Sequence, residues 1–200
     1  MNVYDFDNTI YAGDSTRDFY CYCIKKRPRS LVRLFTLAGI GFLYFIGKTT
    51  KTALKQRFFL FLRDVSDIDA ALKDFWDAHI GNIYEWYIKA RQPDDVIISA
   101  SPEFLLRPAC ERLGVKTLIA SPVDKYTGKY AGLNCDGEEK AKRFKQQFPD
   151  SQADKFYSDS DSDLPMALPA REAYKVKGGK INKWERNGAP KASRPTGYTS

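Results

Sequence analysis

Histidine is almost absent from this 200-residue sequence, in which His79 stands alone. One histidine excludes metal centres built from several imidazoles, and it leaves Ser-His-Asp or Cys-His catalysis only if His79 is the base. The four cysteines are scattered and form no Cys-x-x-Cys pair, so we expect a reducing cytosol rather than a disulfide scaffold. Long apolar runs are lacking too: the uncharged run at 34–46 has thirteen residues, whereas a membrane-spanning helix needs about 20.

Acidic residues are absent from residues 19–63, which hold ten Lys or Arg. Residues 171–200 hold eight basic and two acidic residues, so a net charge of +7 conceals two basic regions around an acidic body. A basic region indicates an anionic partner, which is nucleic acid, phospholipid or a phosphorylated substrate. We expect no nucleic acid, because the first basic stretch is apolar instead of polar with exposed stacking aromatics.

Hydrophobic patterning divides the chain into one early strand, a long helical stretch and an alternating part. Strands are predicted at 2–6, 96–99, 118–123, 129–131, 155–158 and 174–176. Alternation predicts an α/β fold with a Rossmann-like, mainly parallel sheet, and the helical stretch is an insertion after the first strand. The predicted parts are an α/β core at 1–13 and 92–186, an all-helical cap at 14–91 and a disordered tail at 187–200. Because a strand is predicted from Asn2, we expect no signal peptide ahead of the fold.

Carboxylates follow the first and a later predicted strand. Asp5 and Asp7 end the first strand, where alternation points both to one face, and Asp159, Asp161 and Asp163 follow strand 155–158. Grouped carboxylates are costly unless a cation or a substrate uses them. The alternatives are a polar strand end with an Asx-turn and a solvated acidic loop.

Three further positions are candidates with ordinary structural alternatives. Ser99 ends a predicted strand just ahead of a helix, where a hydroxyl and free N–H groups would bind an anion. Ser101 as a helix N-cap, with Pro102 at the first helical position, explains the same pattern. Lys140 lies on a predicted helix and would ordinarily be a surface lysine. Asp14 is either a substrate-recognising carboxylate or a first-turn carboxylate favoured by the helix dipole.

Taken together, this order of motifs resembles the haloacid dehalogenase superfamily, over about residues 2–176. The insertion after the first motif is similar to the cap of its phosphoserine-phosphatase-like branch. The resemblance implies a phosphatase in which Asp5 is the nucleophile and Asp7 the general acid/base. It also implies a Mg²⁺ ion bound by Asp5, the Asp7 carbonyl and Asp159, with Asp163 close behind.

The same resemblance implies how the phosphoryl group is held. Thr9 would brace the loop after the first strand, while Ser99, the Ala100 backbone and Lys140 would bind the phosphoryl oxygens. Asp14 stands where phosphoserine phosphatases have an acidic residue that recognises the substrate amine. Asn8 departs from the family pattern, since many members have glycine there.

The substrate is left open between a membrane lipid phosphate and a small soluble ester. The apolar run 34–46 has basic flanks, which suits the interface of an anionic membrane. The chain also resembles bacterial phosphatidylglycerophosphate phosphatases at Ser101-Pro102, Leu118-Ile-Ala-Ser121, Gly137-x-Glu139-Lys140 and Tyr157-Ser-Asp-Ser160. That resemblance would place the protein in the cytoplasm with its cap at the inner face of the membrane. The alternatives are a buried cap helix with a substrate such as phosphoserine, and a non-catalytic anion- or membrane-binding module.

Overall fold

A six-stranded sheet forms the centre of the computed structural model, which describes residues 1–26 and 59–185. The strands are β1 (Asn2–Tyr4), β2 (Val96–Pro102), β3 (Thr117–Ser121), β4 (Lys155–Ser158), β5 (Glu172–Lys177) and β6 (Lys180–Lys183). Their order across the sheet is β3-β2-β1-β4-β5-β6. All neighbours are parallel except β5 and β6, which form an antiparallel hairpin. The predicted α/β class with a mainly parallel sheet is therefore confirmed.

The central strand is β1, which pairs with β2 on one side and with β4 on the other. Val3 and Tyr4 are buried on opposite faces, so β1 has no solvent-facing side. The chain proceeds from β1 through β2 to β3 and then returns to the other side of β1 with β4. Such a reversal opens a crevice at the carboxyl ends of the strands, where ligands bind in open α/β sheets.

Helices cover both faces of the sheet. They are α1 (Ser15–Lys26), α2 (Ile68–His79), α3 (Glu85–Ala90), α4 (Glu103–Leu113), α5 (Glu138–Gln147) and α6 (Leu164–Ala167), with short 3-10 turns at Phe59–Asp64, Ile80–Asn82 and Asp161–Asp163. Helix α2 begins after Asp67, whose carboxylate accepts the Ala70 N–H at 2.9 Å and so satisfies an otherwise unpaired helix-end donor. Within the described residues, the stretch between 15 and 91 contains helical elements and loops, with one isolated β-bridge from Ile83 to Tyr11.

One face of the sheet packs against α1, α2 and α4 through a cluster of aromatic side chains. Trp76 of α2 is fully buried, and its indole N–H donates to the Leu105 carbonyl of α4 at 2.7 Å. Phe6 and Tyr11, from the loop after β1, contact the Trp76 ring. Burying one such ring stabilises the fold by about 1.5–3 kcal/mol. The loop after β1 is thereby held rigidly between the sheet and α2.

The opposite face packs against α5 and α6, with Phe144, Phe156 and Met166 at its centre. Residues 30–47, predicted as a helix around the apolar run, lie outside the described residues, as does the predicted tail at 187–200. The division into a core at 1–13 and 92–186 and a cap at 14–91 stays a prediction. No helix in the described part of the chain has the length and apolar character needed to cross a membrane.

Local predictions failed at three places. Ser101 is not a helix N-cap: it lies in β2, and Pro102 precedes the first residue of α4. Helix α4 itself continues through Pro108 to Leu113 and ends at Gly114 in the left-handed conformation. The predicted strand at 129–131 is reduced to one bridge between Val123 and Tyr130. Strand β6 was missed because its four residues are exposed and carry no apolar alternation.

Candidate active site

The loop after β1 places Asp5 and Asp7 at the carboxyl edge of the sheet. The Asp5 N–H donates to the Tyr157 carbonyl at 2.9 Å, which extends the pairing of β1 with β4 by one residue. The chain then turns at Asn8, whose φ of +55° lies in the left-handed region and whose N–H donates to the Gly13 carbonyl. Asparagine tolerates this conformation better than most residues, so Asn8 fits a turn at which glycine would be the ordinary choice.

Asp5 is buried, and both of its carboxylate oxygens have partners. Lys140 Nζ donates to Oδ1 at 2.6 Å, and Thr9 Oγ1 donates to Oδ2 at 3.2 Å. Burial raises the pKa of Asp5 to about 7, although the ammonium group of Lys140 acts in the opposite direction. Asp5 is therefore oriented by two donors and needs more nearby positive charge to be fully ionised at neutral pH.

Lys140 is a buried lysine between two carboxylates. Its side chain is 3% exposed, and Nζ also lies 2.7 Å from Asp163 Oδ2, which accepts the Ser158 hydroxyl as well. Burial alone would lower the pKa of Lys140, but Asp5 and Asp163 outweigh that effect and raise it. The other carboxylate oxygen of Asp163, Oδ1, is buried and has no hydrogen-bond partner. Lys140 is thus held in its charged form behind Asp5.

Asp7 has a different set of partners, all on the side of α1 and β2. Oδ1 accepts the Ser15 N–H at 2.6 Å, and Oδ2 accepts the Ser101 hydroxyl. Burial raises the pKa of Asp7 to about 6, while the hydrogen bonds from Ser101 and Ser15 moderate the increase. A carboxyl group with a pKa near 6 exchanges protons readily near neutral pH.

Ser99, Ala100 and Asp159 also lie at the carboxyl edge of the sheet. The buried Ser99 hydroxyl accepts the Ser101 N–H at 3.1 Å, and Ser99 and Ala100 both face the same cavity as Asp5. The Asp159 N–H donates to Thr9 Oγ1 at 3.0 Å, so Thr9 connects the first carboxylate loop to the second. Burial and the nearby Asp163 raise the pKa of Asp159.

Asp14 has a structural role at the start of α1, which is the alternative to substrate recognition, and it also lines the cavity. Its Oδ1 accepts the Arg17 N–H at 2.8 Å, which caps the first turn of α1. His79, in contrast, lies on α2 with its ring stacked on Phe75, and it is not among the described residues that line the cavity. A histidine base at this site is therefore excluded for the described residues.

These side chains surround one open cavity of about 450 Å³. Its lining includes six carboxylates and, within the described residues, two cations: Asp5, Asp7, Asp14, Asp136, Asp159 and Asp163, with Arg17 and Lys140. A phosphate dianion would be repelled by this excess of negative charge unless a cation entered with it.

The donor set fits a magnesium ion that also uses main-chain and solvent oxygens. No three His, Cys, Asp or Glu side chains within residues 1–26 and 59–185 are grouped so as to hold a metal by themselves. The implied set of two carboxylates and one carbonyl is compatible with this, because Mg²⁺ in proteins usually keeps several waters and takes one or two carboxylates. Burial raises the pKa of Asp5 and of Asp159, and a nearby cation would favour the ionised form of both carboxylates.

Two contacts were not foreseen from the sequence. The Ser101 hydroxyl bonds Asp7 and also lies 2.9 Å from Thr16 Oγ1, so it joins β2 to the first turn of α1. The Ser15 N–H on Asp7 is the second. No local sequence pattern predicts either contact, because Ser15 and Ser101 both appear as ordinary residues at the start of a helix.

The family model for haloacid dehalogenase-like hydrolases matches residues 3–168 of this chain. The chain therefore belongs to the haloacid dehalogenase-like hydrolases. Within that family it is a phosphatase, a phosphoric monoester hydrolase.

Curated relatives match most of the chain at low identity. Protein CicA of Caulobacter vibrioides is 26% identical over 194 residues, covering 89% of this chain and 86% of its own. A histidinol-phosphatase of Neisseria meningitidis serogroup C is 23% identical over 205 residues, covering 83% and 85%.

Solved structures share the fold. A protein of unknown function from Bordetella pertussis superposes with a TM-score of 0.69 at 20% identity, covering 86% of this chain and 87% of its own. A substrate-bound phosphoserine phosphatase superposes with a TM-score of 0.54 at 14% identity, covering 86% and 82%.

Proposed function

We propose that this phosphatase hydrolyses a small soluble phosphomonoester, with Asp5 as the nucleophile and Asp7 as the general acid/base. The observation that carries the proposal is the pair of carboxylates on one cavity, each with its own partners. Asp5 is held from behind by Lys140 at 2.6 Å, while Asp7 is held by Ser15 and Ser101 with a pKa near 6. Two carboxylates in such unlike environments suit two different chemical roles.

In the proposed reaction, a carboxylate oxygen of Asp5 attacks phosphorus in line with the leaving oxygen. The bond from phosphorus to the leaving oxygen breaks as Asp7 gives that oxygen a proton, which leaves an aspartyl-phosphate. Asp7 then takes a proton from the water that attacks this acyl phosphate, and the bond between phosphorus and Asp5 breaks. Inorganic phosphate leaves, and both carboxyl groups return to their starting states.

Lys140 and the donors at the carboxyl end of β2 would stabilise the phosphoryl oxygens. Lys140 supplies a fixed positive charge behind Asp5, and Ser99 with the Ala100 N–H supplies hydrogen-bond donors at the carboxyl end of β2. Fixed donors of this kind lower the barrier because they need no rearrangement as charge develops. Thr9 maintains the spacing of the two carboxylate loops through its bonds to Asp5 and the Asp159 N–H.

Membership in this family implies a Mg²⁺ requirement, and we assign its protein ligands to the carboxylates of Asp5 and Asp159 and the carbonyl of Asp7. When bound, the ion supplies positive charge that offsets repulsion between the phosphate dianion and the acidic cavity. Asp163, whose Oδ1 has no hydrogen-bond partner, lies behind this set and holds Lys140.

A small soluble ester is favoured over a lipid phosphate. Two of the relatives named above act, by their names, on histidinol phosphate and phosphoserine. The lipid reading rested on the apolar run 34–46, which lies outside the described residues, and on the resemblance to phosphatidylglycerophosphate phosphatases. No relative named above carries a lipid substrate in its name. A cavity of about 450 Å³ is large enough for a small leaving group.

The test is phosphate release from a panel measured with Mg²⁺, using a mock purification from cells that lack the protein as the blank for contaminating activity. The panel contains phosphoserine, histidinol phosphate, nucleoside monophosphates, sugar phosphates and phosphatidylglycerophosphate in mixed micelles. We expect turnover of at least one small ester above that of the lipid. Release from phosphatidylglycerophosphate alone would reject the proposed substrate class, and release from none would reject the proposed function.

A further inference from the structure

We propose that Arg17 is a specificity-determining residue that binds a second anionic group on the leaving group of the substrate. This inference rests on the proposed function, since it assigns the substrate class of the same cavity. The starting observation is that Arg17 lines the cavity on the first turn of α1, with its side chain 66% exposed. Lys140 is the other cation lining the cavity in the described ranges, and its ammonium is already bound by Asp5 and Asp163.

Arg17 lies on the side of the cavity where the leaving group must be. Asp7, which would protonate the leaving oxygen, accepts the N–H of Ser15, two residues before Arg17. Lys140 approaches Asp5 instead from α5, together with Asp163 from the loop after β4. A substrate whose phosphorus lies at Asp5 and whose leaving oxygen lies at Asp7 would therefore extend its leaving group towards the first turn of α1.

The Arg17 guanidinium is oriented by Asp18, but this contact uses only some of its N–H groups. Its Nε and Nη2 both approach Asp18 Oδ1, at 3.4 and 3.3 Å. Within the described residues, the remaining N–H groups of Arg17 have no hydrogen-bond partner, and a ligand in the cavity would supply one. Guanidinium presents donors in a planar fork that matches a carboxylate or a phosphate, which makes a second anionic group the expected ligand.

Asp18 is a positioning residue for Arg17, and it is itself anchored from the core. The hydroxyl of the buried Tyr11 donates to Asp18 Oδ2 at 3.0 Å, and the Asn82 amide donates to that hydroxyl at 3.4 Å. The backbone of Gly13 also lies close to Asp18. A Cβ atom added at Gly13, whose φ is +137°, would lie 3.0 Å from Asp18 Oδ2. The second oxygen of Asp18 is thus held by the protein, while the first directs Arg17.

Two pairs of esters isolate the second anionic group. Phosphoserine and phosphoethanolamine share an amine and a primary phosphate ester and differ by the carboxylate, so any contribution of Asp14 to amine binding cancels. Propane-1,3-diyl bisphosphate and propyl phosphate differ by a second phosphate. The first pair tests a carboxylate, the second tests a phosphate, and the ratio of kcat/KM within each pair is the quantity measured.

The variants are Arg17→Gln and Arg17→Lys, with Arg171→Gln as the matched control. Arg171 is 69% exposed and also pairs with an aspartate, Asp154, but it lies at the amino-terminal edge of the sheet. We expect the wild-type enzyme to prefer the doubly anionic ester in at least one pair. Arg17→Gln should reduce that preference by roughly tenfold, which is about 1.4 kcal/mol. The loss should appear in KM, because a contact remote from phosphorus binds ground and transition states alike.

Arg17→Lys should keep part of the preference, because it retains the charge without the fork, and Arg171→Gln should keep all of it. The inference is overturned if the wild-type enzyme prefers neither doubly anionic ester. It is equally overturned if Arg17→Gln lowers both members of a pair by the same factor, because Arg17 would then contact the phosphoryl group or support the fold. Those results would leave the proposed function standing, whereas hydrolysis of none of the four esters and none of the wider panel would remove both.

Discussion

Lys140→Met should destabilise the protein strongly as well as inactivate it, because Lys140 neutralises two buried carboxylates. The Lys140 side chain is 3% exposed, and those of Asp5 and Asp163 are 9% and 1% exposed. Methionine keeps the length of the side chain but leaves both acids without their cation. Removing one partner of a buried ion pair costs about 3–5 kcal/mol. For a chain of this size the melting temperature should fall by roughly 6–20 °C.

The assay is thermal unfolding followed by circular dichroism in EDTA, with Lys142→Met as the control. Lys142 is exposed on the same helix, so its substitution should change the melting temperature little. The loss in Lys140→Met should shrink as the pH is lowered, since protonation removes the uncompensated charge. Adding Asp163→Asn to Lys140→Met should recover part of the stability. A melting temperature within a few degrees of wild type at pH 8 would show that Lys140 does not neutralise these acids.

Three further predictions address protons, metal and the hydrogen bond to Asp7. In EDTA, Asp5 and Asp7 have pKa values of about 7 and 6 in the folded protein, whereas the value for an unfolded chain is 3.8. Between these values the folded state holds protons that the unfolded chain has released. Stability should therefore fall as the pH rises from about 4 to 7, and a melting temperature that rises over this range would contradict the assignment. EDTA should abolish phosphate release and Mg²⁺ restore it, and Asp159→Ala should weaken Mg²⁺ binding by calorimetry roughly tenfold or more, unlike Asp161→Ala in the same loop. Ser101→Ala removes a bond that favours ionised Asp7, so the corresponding limb of the pH–rate profile should move to higher pH.

Much of the fold was predictable because the strands are buried and bounded by turn residues. Strand 155–158 was predicted with its observed bounds, since four residues with buried Phe156 and Ser158 follow a polar loop. Ser101 was misassigned because a serine before Pro-Glu is also the ordinary start of a helix. Nothing in the local pattern shows that its hydroxyl reaches Asp7, 94 residues away in the chain.

The candidate site was predictable in its membership but not in its connections. Asp5 and Asp7 follow one strand, and the topology brings Ser99 and Asp159 to the same edge. The role of Lys140 was the hardest to predict from the sequence, because a lysine on a polar helix is usually exposed. Its burial depends on Asp5, 135 residues earlier, and on Asp163, 23 residues later. Pairings at such separations arise from the folded sheet and leave no local periodicity.

Phosphate release by Asp5→Asn is the measurement that tests the proposed mechanism most directly. The amide matches the carboxylate in shape but cannot attack phosphorus, and Lys140 keeps its contact with Asp163. With the best ester of the panel and saturating Mg²⁺, we predict a loss of roughly a thousandfold or more in kcat while the circular dichroism spectrum is unchanged. Activity within tenfold of wild type in a pure, folded Asp5→Asn protein would contradict the covalent mechanism and the assignment of Asp5 as its nucleophile.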